Sequence, residues 1–213
     1  MTLHLPLRAL LPLLAATALA ACAHEPAPAA STASAAAAPA QAAGDADATR
    51  ARAAAMAFST RLRERLQGAM QAGGPVAAIG VCHDDAPRIA ADVMATHDVR
   101  LGRVAVPGRN RNPGHVAADW QRAPLDAFAR AVADSAPAGE QVAVIRDGLP
   151  DGVALRMMRG IATEPGCLAC HGSHLAPDVQ AALAARYPDD AATGFSVGDL
   201  RGALWVEVPA AAR

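Results

Sequence analysis

The stretch EPGCLACHGSH, residues 164–174, carries Cys167 and Cys170 with two residues between them, and His171 directly after. Two thiols at this spacing can add to the vinyl groups on one edge of a porphyrin. The histidine next in line then lies beneath the metal and offers it a nitrogen. Two other chemistries also use neighbouring cysteines. A thioredoxin-like redox pair opens a helix early in a βαβ unit and has no need of the histidine. Here the pair comes late and no βαβ pattern precedes it. A structural zinc site needs four ligands, usually from two clusters, and only one cluster is present. The spacing therefore predicts one covalent haem c, with Cys167 and Cys170 as thioether positions and His171 as the proximal iron ligand.

A second axial ligand has to come from upstream. No Met, His or Cys follows His174, and His174 emerges three residues past His171, on the same side of the metal. The upstream candidates are Cys82, His83, Met94, His97, His115, Met157 and Met158. Cys82 ends the apolar run PVAAIGV, a core-forming element, and a buried structural cysteine is the ordinary reading of such a position. Met157 and Met158 are adjacent in an apparent strand, so one of them is expected in the core. Residue types alone leave this choice open.

The front of the chain addresses location. MTLHLPLRALLPLLAATALAAC has Arg8 ahead of an apolar run at 9–21, the length of a signal peptide and too short to span a bilayer. The run ends Leu19-Ala20-Ala21-Cys22, which resembles a bacterial lipobox. Residues 1–21 are thus expected to be a lipoprotein signal peptide, with Cys22 lipidated. Each buried methylene of such a lipid contributes about 0.8 kcal/mol of anchoring. Ala23 after the cysteine points to the outer membrane. The expected location is the periplasmic face of the envelope, where haem is attached covalently. Of four cysteines, Cys82 is then a solitary thiol in an oxidising compartment, and asks for an explanation.

Residues 22–49 are rich in Ala and Pro and are expected to form a disordered tether, because they offer too little large apolar surface to offset the entropy of ordering. The remaining residues, 50–209, have the size of one domain. Net charge is −1 with no basic run, which gives no footing for nucleic acid.

Within 50–209 the patterns predict an α+β domain. Residues 50–72 read as an amphipathic helix with Met56, Leu62, Leu66 and Met70 on its apolar face, stopped by Gly73-Gly74-Pro75. Helices are expected at 86–97 and 117–134, and strands at 99–106, QVAVIRDG, VALRMMRGIA and GALWVEV. The Leu-Pro-Asp-Gly between the second and third strands suits a hairpin. The expected arrangement is a central antiparallel sheet with helices on one side. Asp199 and Arg201 are expected to shape the loop before the last strand, either as a surface ion pair or with a contact to a haem propionate, and Arg103, Arg109 and Arg111 are similar cases.

Four segments resemble a family of small c-haem proteins with a PAS-like domain, long catalogued as a domain of unknown function and also found as a sensor module of histidine kinases and chemotaxis-type receptors. They are GPVAAIGVCHDDAPRIA (74–90), LGRVAVPGRNRNPGHVAADW (101–120), GIATEPGCLACHG (160–172) and ARYPDDAATGFSVGDLRGALWVEV (185–208). The resemblance implies a PAS-like fold. It also implies an iron held by the motif histidine, here His171, and by the cysteine of a Val-Cys-x-x-x-Ala-Pro segment, matched by Val81, Cys82, Ala86 and Pro87. Two departures stand out: His115 and Ala117 replace an asparagine and a proline, and Gln121 replaces an acidic residue. His115 is thereby a competitor of Cys82 for iron.

The function expected is that of a lipid-anchored envelope haem protein in electron transfer or redox sensing, working with a separate redox or signalling protein. A gas-sensing module and a haem enzyme such as a peroxidase are the alternatives. The enzyme reading has no distal acid–base pair to support it.

Overall fold

The computed structural model describes residues 34–211. The expected signal segment 1–21 and the lipidation candidate Cys22 lie outside them. Among the described residues no helix is long and apolar enough to cross a membrane.

The first element is a long helix, α1 (Ser34–Gly80). It runs through residues 34–49, where composition predicts a tether, and Ala48 is already buried against the sheet. Alanine is the best helix former and loses no side-chain entropy on burial. An alanine-rich stretch therefore becomes helical once a surface is available to receive it. The buried face also differs from the expected one. Ala51, Ala54, Ala55 and Phe58 face the core, whereas Met56 is 61% exposed. The small methyls let the helix axis lie close to the strands.

Gly73 and Gly74 break the helical geometry, Gly74 with φ 68°, so the expected stop is a kink. Helix resumes at Pro75, where a missing N–H costs nothing at the start of a helical stretch. Ala78, Ile79 and Val81 are buried, so the apolar run does build core, but as helix. The polar residues after it do not end the element. The chain passes through a π-helical turn (Val81–Asp85) straight into α2 (Ala86–His97).

The remaining elements are β1 (Arg100–Ala105), α3 (Asp119–Ala133), β2 (Val142–Ile145), β3 (Val153–Ala162), α4 (Leu168–His171), α5 (Pro177–Arg186) and β4 (Leu200–Pro209). The four strands form one sheet in the order β1-β4-β3-β2. Every neighbouring pair is antiparallel. The fold is α+β, as the patterns predict.

Helices cover both faces of the sheet, which corrects the one-sided arrangement. On one face α1 and α2 pack against Leu101, Leu155, Met157, Leu204, Val206 and Val208. On the other, Leu125 and Phe128 of α3 pack against Val104, Met158, Leu200 and Ala203. Met157 and Met158 are therefore both core, on opposite faces, because successive strand residues point opposite ways. The Gln121 side chain caps α3 by accepting the Ala118 N–H at 2.9 Å, a role that an acid there could also fill. A third cluster joins Ile79 to Val179, Leu183 and Tyr187, with Cys170 against it. It ties the helix before the π turn to the segment after the C-x-x-C-H motif.

Candidate functional site

The π turn is the first positioning device. π-helical insertions are rare and concentrate at functional sites. This one carries Cys82, half-buried, on the wall of a cleft. Its acids tie it down: Asp85 accepts from Arg65 of α1 at 2.6 Å, and Asp84 from Arg186 of α5 at 3.0 Å. Hydrogen bonds from His83 and Arg186 hold the Asp84 carboxyl below its ordinary pKa.

The motif supplies the opposite element. Pro165–Cys167 is a 3₁₀ turn that runs into α4, so Cys167, Cys170 and His171 follow one another on a tight helical path. The backbone N–H of Glu164 points at the Cys167 sulfur, 3.3 Å away. Both motif thiols are free and half-buried. Burial pushes the Cys170 thiol's pKa up, with Arg111 opposing.

His171 is oriented from behind. Its Nδ1 lies 2.7 Å from the Ala192 carbonyl, which makes Nδ1–H the donor and leaves Nε2 with a lone pair. Burial, with repulsion from Arg201 and Arg111, pushes its pKa down to about 3, while the Ala192 bond works the other way. The ring is neutral at physiological pH, the form that binds metal. A backbone carbonyl holding the far nitrogen is the usual support of a metal-bound imidazole.

Cys82 and His171 line one cleft, whose empty space counted out to its open mouth is about 640 Å³. The fold thus brings together the two axial candidates from segments far apart in sequence. Of the rivals, His115 lines the cleft too. Burial and Arg103 push its pKa down to about 4, so it is also neutral. His83 pairs with Asp84 and meets Tyr187 edge-on. Met94 packs at the border of the α1 core. His97 ends α2.

The cleft is rich in positive charge. Arg103, Arg109, Arg111 and Arg201 all line it, and no Asp or Glu does among the described residues. Asp199 does not pair with Arg201; it accepts the Ser196 N–H at 2.8 Å and shapes the loop before β4. The Arg201 Nε is buried without a hydrogen-bond partner among the described residues. A buried guanidinium N–H without a partner is costly, so these residues suit a ligand that brings its own negative charge. A flat macrocycle with two propionates and a metal to take the His171 lone pair fits this lining; Cys167 and Cys170 are not among the residues that line the cleft and lie on the turn that carries His171. Among the described residues no three His, Cys, Asp or Glu side chains converge as a metal cage would require.

The sequence pattern did not single out the device that aims Arg201. Between β3 and β4 the register slips: Ile161 faces Gly202 and Ala162 faces Leu200, so Arg201 is an extra residue with no partner on β3. A bulge re-aims side chains, and here it turns Arg201 into the cleft. Gly202 makes it possible, at φ 151°, where an added Cβ would sit 2.0 Å from the Val104 carbonyl oxygen. The readable signal is Gly202 at the start of the GALWVEV pattern, since glycine in a strand marks a bulge; β4 itself begins two residues earlier, at Leu200.

An α+β domain with a cation-lined cleft between a thiol-bearing π turn and a C-x-x-C-H turn is the class defined by this geometry. The chain belongs to the Tll0287-like family, whose model matches residues 33–209. This agrees with the resemblance drawn from the motifs. Among solved structures, that of the cyanobacterial haem protein Tll0287 is similar at 29% identity, covering 61% of this chain and 72% of that one, with a TM-score of 0.47. No curated protein matches the chain.

Proposed function

We propose that the chain is a lipid-anchored c-type haem protein of the bacterial envelope that passes or senses single electrons. In this reading Cys167 and Cys170 would hold the haem covalently, His171 and Cys82 would bind its iron, and Cys22 would carry the lipid. The observation that supports this most is that Cys82 and His171 line one cleft, which carries four arginines and, among the described residues, no acid. Membership of a family whose namesake is a haem protein adds to it.

The bound group would supply a one-electron iron couple, whose potential a thiolate ligand lowers. The chain's own residues do the rest. Ala192 fixes the His171 ring in one tautomer. The Arg65 and Arg186 ion pairs fix the turn that presents Cys82. The test is to express the full chain with haem-maturation machinery and compare the absorption and paramagnetic-resonance spectra of wild type and Cys82→Ala. A changed ferric spectrum in the variant is expected; an unchanged one removes Cys82 from the iron.

A gas-sensing module that works through a separate partner is the second reading, and one observation favours it. The turn that bears Cys82 is bonded to α1 through Asp85 and to α5 through Asp84. Movement of Cys82 would thus be felt by the long helix that leads toward the proposed membrane anchor. CO binding to the reduced protein together with altered hydrogen exchange in α1 supports sensing. Rapid exchange with a soluble donor and no CO binding supports simple transfer.

A further inference from the structure

The four arginines of the cleft are not equivalent, and their hydrogen bonds separate them. Arg111 is committed to protein. Its Nε donates to Asp190 at 3.0 Å, and its Nη2 donates to the carbonyls of Cys170 at 2.6 Å and Ala192 at 3.4 Å. Arg109 is committed too, with its guanidinium 3.6 Å over the Phe195 ring and its Nη2 donating to the Thr193 carbonyl. These two brace the loop that follows α5 against the motif.

Arg103 and Arg201 have no such commitments. Among the described residues neither donates a side-chain hydrogen bond or joins an ion pair. Arg103 has only a distant contact with the Phe58 ring, at 5.9 Å, and the Arg201 Nε is an orphan. They come from neighbouring strands, Arg103 from the middle of β1 and Arg201 from the bulge of β4. Burial pulls the Arg103 pKa down, with Cys82 opposing and repulsion from Arg201 adding to the fall. Two unpaired guanidiniums on one cleft wall are a receptor for two carboxylates, since a guanidinium donates to a carboxylate through two parallel N–H bonds.

Resting on the proposed haem site, we infer that Arg103 and Arg201 receive the two propionates, while Arg109 and Arg111 only support the wall. The ligand's carboxylate edge is then set against β1 and β4, and the bulge at Arg201–Gly202 exists to complete that receptor.

The test uses the haem-loaded full chain. The propionate-bending bands are read by resonance Raman spectroscopy in Arg103→Gln, Arg201→Gln, Arg109→Gln and Arg111→Gln. Each of the first two variants is expected to shift the bands and to lower the midpoint potential, because a cation that favours the ferrous state is lost. Arg109→Gln and Arg111→Gln remove braces of the wall and not propionate donors, so they should move the bands less than either of the first two. Should a glutamine variant fail to fold, Arg103→Lys and Arg201→Lys keep the charge but lose the two-pronged donation, so the bands still shift. Unmoved bands in both Arg103 and Arg201 variants, or bands moved more by Arg109→Gln or Arg111→Gln than by these, overturn the assignment. A colourless wild type would instead overturn the haem reading itself.

Discussion

The same face of the sheet is finished in two different ways along its length. Toward α1, Leu155, Val206 and Val208 are fully buried beneath alanines and Phe58. Toward the π turn, residues of β1 and β4 instead face a cleft lined with guanidiniums. The first half is closed by the protein. The second is built so that something anionic must close it. A fold pays for one such unfinished surface only where a ligand completes it, and the difference between the halves is the strongest physical sign of function in the molecule.

Four perturbations probe this contrast, in falling order of expected effect. Asp190→Ala strands Arg111, a side chain only 10% exposed, without its counter-charge. Loss of one partner of a buried pair costs about 3–5 kcal/mol, and urea unfolding should register it. A loss below 1 kcal/mol would mean that Arg111 finds another anion. Leu155→Ala opens a void in the closed half and should cost about 2–5 kcal/mol, while leaving the haem spectrum unchanged. If the spectrum moves, the two halves are mechanically coupled.

Gly202→Ala comes third. It drives a methyl into the Val104 carbonyl and should cost about 1–3 kcal/mol, the usual scale of local backbone strain. Unlike Leu155→Ala, it should also disturb the spectrum, because the bulge that aims Arg201 is lost. Smallest is Arg65→Ala, which removes an exposed pair worth about 0–1 kcal/mol. Stability should barely change, and any spectral change then reports the position of Cys82.

Acid adds a further check. His115 has its pKa lowered to about 4 from 6.5. The unfolded chain therefore binds the proton first, and ∂ΔG/∂pH is positive between those values. The stability this residue contributes is complete above about pH 6.5 and is lost as pH falls toward 4. In His115→Asn the slope of stability against pH over that window should be shallower than in wild type. Equal slopes would place the ring in water.

Much of this was legible beforehand. The strand periods, the boundaries of α2 and the antiparallel sheet follow from alternation and turn residues. The face of α1 did not, because alanine gives no hydrophobic contrast and Met56 draws the eye to the wrong side. The helical state of 75–81 was hidden by β-branched residues in a short run, where helix and strand patterns are indistinguishable. The second helical layer was missed because a strand buried on both faces loses its alternation, as the adjacent buried Met157 and Met158 do. In the site, the motif chemistry singled out Cys167, Cys170 and His171. Cys82 came from an odd thiol count joined to a family resemblance. The arginines could not be ranked from sequence, since their difference lies in partners that only the fold assembles.

The central claim is a covalent haem at the motif, and intact mass measurement of the full chain, produced with and without haem-maturation machinery, tests it most directly. The account predicts a gain of one haem in wild type that survives denaturation and vanishes in Cys167→Ala/Cys170→Ala. A wild-type mass with no haem, or a haem mass retained by the double variant, would contradict it.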